Sequence, residues 1–536
     1  MGVAHEYAAA VLHRTRVPME PVGFEPDWDD QPREHRYLAG VERFPLPPWQ
    51  VAPGATVQRG LHGPGGDRPF SLPLLGGMLQ DSYGLVGRRL GVHANVNLPS
   101  MPSYPLAQWS RGTASGGGLY PLRVYWAAGP SGPLTPGVYH YSAPHHAMER
   151  LLTGDASAEV RAAVDGGLPE DADQFLILGV TFWRNTFKYN SFGYHVVTMD
   201  VGALLQTWRM WGRAQGLRLG SALWFDEPRL SRLLGAGEEE EGLFAVVPLR
   251  WETSPDAAVA GPPAAGAPWT ARVRAVEQER SRSVLAFDTI RRMHAATLAG
   301  AAERPDPEAL TEALPRPVPA GGERIGLPAP LPLDTPVDSA LRARRSSFGR
   351  FSGHRPLKAG TLSAMLAAAE SGARLDSDLD APHGASLTRL YVCVNHVESV
   401  APGSYVYDGG RDGQGPSLRL VRPGAPGSFV QRAYSMDNYN VEQAAAVIVP
   451  AVRVPALLDA VGDRGYRLAN AAVGATAQAV YTAGAAAGIG CGVALAFDGV
   501  SYIEELGLQD TDETPLLIIQ VGHERARPAD FRYRTA

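Results

Sequence analysis

Three clusters in this chain of 536 residues combine side chains that can do chemistry. Lys188 and Tyr189 stand side by side in Phe187-Lys188-Tyr189-Asn190-Ser191-Phe192-Gly193-Tyr194. An ammonium beside a phenol favours the phenolate and lowers its pKa, which would make the pair a general base. A surface lysine beside a core aromatic is the plain alternative. Ser115 lies in Arg111-Gly112-Thr113-Ala114-Ser115-Gly116-Gly117-Gly118-Leu119-Tyr120-Pro121. Glycines there leave backbone N–H groups open to a ligand, although a flexible loop has the same composition. Arg344-Arg345-Ser346-Ser347 with Arg350 gathers fixed cations and short hydroxyl donors. That set suits a phosphate group; a solvated basic turn is the alternative.

The elements that must position these clusters occur twice. Tyr194, Gly202 and Gln206 pair with Tyr466, Gly474 and Gln478 at one constant offset. The same offset pairs Gly216 with Gly488, Gly220 with Gly492, Phe225-Asp226 with Phe497-Asp498, Leu234-Gly235 with Leu506-Gly507, and Glu241 with Glu513. A register held that long means two copies of one unit. The copies differ where chemistry would sit. The second has Ala460 and Val461 in place of Lys188 and Tyr189, and Pro382-His383-Gly384-Ala385-Ser386 in place of the serine loop. The first aligns Val57-Gln58-Arg59-Gly60-Leu61-His62 with the arginine cluster and keeps only Arg59. Complementary losses predict one working site shared between the units.

Periodicity predicts helices over 72–82, 194–215, 359–371 and 466–487. It predicts strands over 122–126, 137–141, 175–182, 243–249, 390–394, 403–407, 443–452 and 515–521. Residues 1–50 read as an extended arm anchored by Trp28 and Tyr37. Residues 51–251 form the first unit and 336–536 the second. Between them, 252–335 is an Ala/Pro-rich linker with a helical core from Trp269 to Leu298, where Arg291, Arg292 and His294 face solvent.

The length suits two large domains. The net charge of −6 is made of mixed signs, which gives no footprint for nucleic acid or an anionic membrane. Cys393 and Cys491 offer neither metal-ligand spacing nor a disulfide framework, as in a reducing cytoplasm. Glu6, His13, Arg14 and Arg16 interrupt any signal peptide. Residues 479–497 are uncharged but rich in Ala and Gly. Their counterpart carries Arg209, Arg213 and Arg218, so a buried helix and strand are expected rather than a membrane span.

Together these motifs resemble the flavin-dependent nitroreductase superfamily, in its SagB-type azoline dehydrogenase branch. The resemblance rests on Arg344-Arg345-Ser346, on Ala114-Ser115-Gly116-Gly117 with Leu119-Tyr120-Pro121, and on Tyr-x7-Gly-x3-Gln in both long helices. Asp27-Trp28-Asp29-Asp30-Gln31-Pro32 and Lys188-Tyr189 point to the branch. The resemblance implies an α+β fold: two tandem nitroreductase-like domains, each an antiparallel-rich mixed sheet flanked by helices, forming an internal pseudo-dimer with FMN at the interface. It implies that Arg345, Ser347 and Arg350 hold the FMN phosphate, with Arg344 in the same cofactor-binding cluster and Arg527 closing over the phosphate. Ser115 and Gly116 would meet the flavin from the opposing unit, and Gly492, Val493 and Ala494 would run along its ring. Lys188 and Tyr189 would be catalytic. The branch oxidises thiazolines or oxazolines in a modified peptide to thiazoles or oxazoles. The implied partners are therefore an azoline-containing precursor peptide and the cyclodehydratase of the same pathway, with further homo-oligomerisation left open. Asn190-Ser191-Phe192 replaces the branch's charged run after Lys-Tyr, and the proline before Ser115 is absent; both bear on substrate choice. Two other readings are a nitro- or quinone-reducing flavoenzyme using NAD(P)H, and a non-catalytic peptide-binding member of a biosynthetic complex.

Overall fold

A computed structural model describes residues 2–93, 103–165, 172–237, 239–252, 271–317, 321–347, 349–380, 382–410, 415–525 and 530–534. The first unit is built on a six-stranded sheet. Its spatial order is β1 (Arg43–Pro45), β6 (Ala147–Thr153), β5 (Gly137–Ser142), β4 (Leu122–Ala128), β7 (Gln174–Thr181) and β8 (Glu241–Pro248). The second unit's sheet runs β14 (Gly490–Ala494), β16 (Ile518–Gly522), β13 (Ala446–Val452), β10 (Thr388–Val394), β11 (Gly403–Asp408), β12 (Ser417–Pro423) and β9 (Arg324–Gly326), with β15 (Thr514–Pro515) on β13. A third sheet crosses between units: β17 (Asp530–Arg534) pairs with β2 (Gly87–His93), which pairs with β3 (Ser103–Ser110). Every pairing among these strands is antiparallel.

The helices of the first unit are α1 (Val3–His13), α2 (Val57–His62), α3 (Leu72–Ser82), α4 (Ser157–Val164), α5 (Phe182–Tyr189), α6 (Gly193–Ala214) and α7 (Glu227–Leu234). The joint contributes α8 (Asp288–Ala299). The second unit has α9 (Val337–Ala343), α10 (Ala359–Gly372), α11 (Gly427–Arg432), α12 (Val454–Val461), α13 (Gly465–Ala486) and α14 (Gly499–Leu506). The expected α+β architecture of two like units is what the chain adopts.

The repeated residues divide by what they do. Asp226 and Asp498 are N-caps: Asp226 accepts from the Arg229 N–H, and Asp498 from those of Val500 and Ser501. Gly235 and Gly507 end α7 and α14 at φ 63° and 65°, the left-handed conformation glycine adopts cheaply. Glu241 accepts from Tyr125 at 2.7 Å and pairs with Arg123 at 2.6 Å. In the other copy Glu513 accepts from Tyr391 at 2.6 Å and pairs with Arg389 at 3.1 Å. These residues repeat because each unit needs the same caps and the same buried ion pair.

Both long helices are buried almost all round, as the core helices of a two-unit body must be. They cross at glycine. A Cβ on Gly202 would collide with the Ala471 carbonyl, and one on Gly474 with the Met199 carbonyl. Met199 corresponds to Ala471 as Gly202 does to Gly474, so the contact is its own image under a pseudo-twofold, as in an isologous dimer. The same symmetry joins α2 and α9: Val57 N–H donates to the Thr335 carbonyl and Val337 N–H to that of Ala55, both at 2.9 Å. Arg59 on α2 therefore corresponds to α9, and not to the Arg344–Arg350 segment that the sequence alignment paired with it.

The N-terminal arm differs from expectation. Residues 3–13 are helical, with Ala4, Tyr7 and Val11 buried at helical spacing. The helix straps the two units together: Tyr7 donates to the Ser191 carbonyl at 2.7 Å, and Ala4 N–H donates to Asp463 at 3.0 Å. Trp28 and Tyr37 are 51% and 43% exposed, and Trp28 sets its ring edge-on against Phe187 at 5.2 Å. Asp30 also ties the arm down, accepting the N–H groups of Arg282 and Ser283 at 2.7 and 2.9 Å. Among the described residues of the joint, helix begins at Asp288, and Trp269 lies outside them. Residues 271–287 stay extended because their backbone bonds sideways, Val273 to Leu233 and Gln278 to Tyr37. Arg291 and Arg292 are exposed, but His294 is buried and accepts from Arg467 at 3.0 Å. It joins Glu227, which bonds Arg464 at 2.9 Å and Arg467 at 2.7 Å. Burial alone would raise the Glu227 pKa; the two arginines outweigh it and hold the carboxylate at about 2.

Gly202→Ala and Gly474→Ala should each destabilise the protein by about 1–3 kcal/mol, as overpacking of a close contact does. Urea unfolding checks this; unchanged midpoints would mean that the two helices part without cost.

Candidate functional site

From the first unit comes the loop joining β3 to β4. Gly117 and Gly118 have φ of 64° and 68°, which lets the chain close a tight turn after Ser115. Ser115 donates its hydroxyl to Asp200 at 2.6 Å and accepts the Tyr120 N–H at 2.9 Å. Gly116 N–H donates to the other Asp200 oxygen at 2.8 Å, and Val196 leaves no room for a Cβ at Gly116. Ser115 and Gly116 thus spend their donors on Asp200, fixing the loop on α6. Burial pushes the Asp200 carboxyl up to about 7, against the pull of its bonds to Ser115 and Gly116.

Lys188 and Tyr189 end α5 directly over this loop. A Cβ on Gly117 would lie 2.6 Å from the Tyr189 hydroxyl and 3.0 Å from Lys188 Nζ. The ammonium stands 5.1 Å from the centroid of the Tyr189 ring. The expected direction of the tyrosine shift is reversed: burial pushes the phenol well above its ordinary range, and the charges of Asp200 and Tyr439 push it further. Burial lowers the lysine pKa. Desolvation thus keeps Tyr189 a neutral phenol and makes Lys188 the easier of the two to deprotonate.

From the second unit comes the chain after α9. Arg344 is buried and donates to the carbonyls of Gly112 at 2.7 Å and Arg111 at 3.0 Å. It clamps the serine loop of the other unit, which corrects its expected place in the cofactor-binding cluster. Arg345 pairs with Glu524 at 2.5 Å, and Arg350 is exposed. Arg525 donates its N–H to the Arg350 carbonyl at 2.9 Å. Arg527 lies outside the described residues. Ser347 N–H donates to the Cys491 carbonyl at 2.9 Å, and its buried hydroxyl faces Gly492, where a Cβ would lie 3.1 Å away. Val493 N–H donates to Tyr481 at 3.0 Å. Val493 and Ala494 pair with Ile519 and Ile518 in the sheet. Gln520, opposite Gly492, is fully buried, and neither polar atom of its side-chain amide has a partner among the described residues. Gln478 completes the junction: it accepts the Ala114 N–H at 2.9 Å and donates to the Gly112 carbonyl at 3.3 Å. Asp200 and Gln520 were not singled out in the sequence. Asp200 had a readable signal, because its counterpart in the second copy is Ala472.

The symmetry-related position is closed. Gly220 and Ser221 correspond to Gly492 and Val493, but Ser221 bonds through both backbone groups to the second unit, with Asp376 at 3.1 Å and Asp378 at 2.9 Å. The Asp378 carboxylate accepts from Leu223 and Trp224 N–H and pairs with Arg304 at 3.0 Å. Arg209 replaces Tyr481 and donates to the Ser371 carbonyl at 3.0 Å. Gln206, the counterpart of Gln478, is held by Arg209 instead of reaching a loop. A cavity of about 600 Å³ lies away from both positions, between α5, α8 and residues 273–287.

Residues 341–523 match the Nitroreductase family, whose members typically bind FMN. No curated protein matches the chain. A crystal structure from Anabaena variabilis, assigned as a nitroreductase, shares 20% identity at a TM-score of 0.72 and covers 98% of this chain and 100% of its own. That likeness extends the nitroreductase-like fold to both units. A Ralstonia eutropha protein, also assigned as a nitroreductase, matches 40% of this chain and 96% of its own at 24% identity and a TM-score of 0.30. The E. coli microcin synthetase McbBCD complex with truncated pro-MccB17 bound matches 34% of this chain and 64% of its own, at 19% identity and a TM-score of 0.26. The family match lies within the second unit, and no described helix is long and apolar enough to cross a membrane.

Asp200 holds a proton up to about pH 7 when folded, against 3.8 for the free side chain. The folded state then binds more protons across that window, so this group's contribution to stability is full below it and is lost as pH rises through it. Asp200→Asn should remove the slope, so that the variant gains on the wild type between about pH 4 and pH 8. Urea midpoints at the two pH values decide; a pH-independent difference would mean Asp200 is ionised in the fold.

Proposed function

We propose that this chain is an FMN-dependent dehydrogenase that oxidises azolines in a modified peptide to azoles, at one site shared by its two units. The observation that carries the proposal is the meeting of Lys188 and Tyr189 with the serine loop at Gly117, beside the Arg344 and Gln478 contacts from the opposing unit. Both the loop and the pair belong to the copy that retained them.

The residues fit FMN. Gln520 offers a buried amide donor and acceptor without partners among the described residues, a demand that a heteroaromatic ring edge satisfies. Gly492 leaves a gap in front of Ser347 and Gln520 that a side chain would fill. Arg345, Arg350 and Arg525 would hold the phosphate by charge-assisted hydrogen bonds. Bound FMN would supply the acceptor for the hydride that leaves the azoline ring.

The other hydrogen leaves as a proton, and the chain must take it. Lys188 suits that role because burial lowers its pKa and so raises the neutral fraction near physiological pH. Tyr189 remains a phenol and serves as a donor that orients the ring. Asp200 and Arg344 act through the loop, one from each unit, and hold the position of Gly117. The substrate implies a cyclodehydratase upstream, because an azoline arises by loss of water from a peptide bearing a nucleophilic side chain.

Incubating the flavin-loaded protein with a cyclodehydrated peptide should remove two hydrogens per ring, read by mass spectrometry. Lys188→Ala should lower turnover about 10²–10⁴-fold, the range for a general base. Tyr189→Phe should cost less, roughly tenfold, as one lost hydrogen bond does. Wild-type turnover should rise with pH through the lysine pKa. Wild-type rates in both variants would make the pair structural. Rapid NAD(P)H oxidation with no azoline turnover would point to a small-molecule reductase.

A further inference from the structure

We propose that Arg111, Arg184 and His35 form a separate binding site for one singly charged oxyanion, most suitably a carboxylate. They line a cavity of about 60 Å³ in the first unit, together with Tyr83 and Tyr120. That is room for roughly four waters, or for one carboxylate or phosphate group.

Arg111 is only 4% exposed, and its guanidinium lies 4.3 Å from the Tyr83 ring and 4.5 Å from that of Tyr120. It donates to the Tyr83 carbonyl at 2.9 Å and to His35 Nδ1 at 3.2 Å. Arg184 donates to the carbonyls of Leu119 at 2.7 Å and Pro32 at 2.8 Å. All of these acceptors are neutral. Among the described residues, neither arginine has a carboxylate within ion-pair distance. Buried cations normally have such a partner.

Two nitrogens of these lining residues are left over. Among the described residues, Arg111 Nε and His35 Nε2 are both buried without a partner. Burial and then the charges of Arg111 and Arg184 lower His35 to about 4, so the ring is neutral near physiological pH. With Nδ1 accepting from Arg111, its proton sits on Nε2. Glu34 and Glu279 also line the cavity and act on Arg184. Their negative charge disfavours a dianion and leaves a monoanion as the better occupant.

The site borders the proposed reaction centre. Arg184 is one helical turn before Lys188 on α5, and it holds Leu119 at the end of the serine loop. The cavity shares Arg36, Arg123, Thr181, Glu277 and Glu279 with the larger one behind α5. A ligand could therefore place its carboxylate at Arg111 and its remaining length in the larger cavity.

The oxyanion can come from a peptide or from a free small anion, and direct binding separates the two. Full-length protein is titrated calorimetrically with sodium acetate, inorganic phosphate, an N-acetyl tetrapeptide with a free C-terminal carboxylate, and the same peptide amidated. The expected result is saturable binding of the carboxylate peptide at least tenfold tighter than of its amide, weakened roughly tenfold or more by Arg111→Gln or Arg184→Gln. Acetate or phosphate binding with the same sensitivity, but without discrimination between the peptides, assigns the site to a free anion. Arg184→Gln decides if Arg111→Gln, stacked between two tyrosines, does not fold. No saturable binding by any probe, or equal affinity in wild type and a folded variant, overturns the proposal. None of these probes is an azoline, so the outcome is independent of the proposed oxidation.

Discussion

Gly202 and Gly474 let α6 and α13 cross backbone against backbone, and the junction of the two units at the candidate site depends on that contact. A side chain at either position would have to displace a carbonyl of the facing helix. Because the crossing is its own image, it fixes the pseudo-twofold that relates the units. Asp200 lies two residues before Gly202 and Gln478 four after Gly474, and both hold the serine loop. The distance between the helices therefore sets how one unit's loop meets the other unit's side chains. Arg344 adds the remaining tie, spending a buried guanidinium on two carbonyls of the opposite unit.

Symmetry in the scaffold coexists with asymmetry in the chemistry. The copies keep the same helix caps and the same buried Arg-Tyr-Glu cluster, because each must fold as the other does. They diverge wherever a polar group would be costly unless used. Lys188, Tyr189 and Asp200 are polar in one copy, and Ala460, Val461 and Ala472 are apolar in the other. At the closed position, Asp376 and Asp378 complete the backbone hydrogen bonds of Ser221. A buried backbone edge must find partners, and chain from the second unit supplies them there.

Much of this was legible in the sequence because it is periodic or local. The long helices, the central strands and the repeat follow from apolar spacing, and the repeated Phe-Asp and Leu-Gly pairs are capping signals. Other features depend on partners far away in sequence. Residues 271–287 stay extended because their backbone bonds go to Tyr37 and Leu233. His294 looks like a solvated helix residue until Arg467, from the other unit, is packed against it. Arg344 reads as a phosphate ligand by type, but its neighbours are carbonyls. The sense of the Tyr189 shift turns on burial and on Asp200, and neither is visible from its adjacency to Lys188. The N-terminal helix was readable: Ala4, Tyr7 and Val11 keep helical spacing, although the Pro- and Asp-rich stretch that follows suggested an extended arm throughout.

A single shared site has a direct measure: FMN released from denatured protein, set against protein concentration after reconstitution with excess flavin and removal of the unbound fraction. One flavin per chain is expected, held between Ser347 and Gly492 of the second unit and the serine loop of the first. Two per chain would mean that the position closed by Asp376 and Asp378 also binds, and none would mean that the buried amide of Gln520 serves something else. Either result contradicts one working site assembled from two complementary halves.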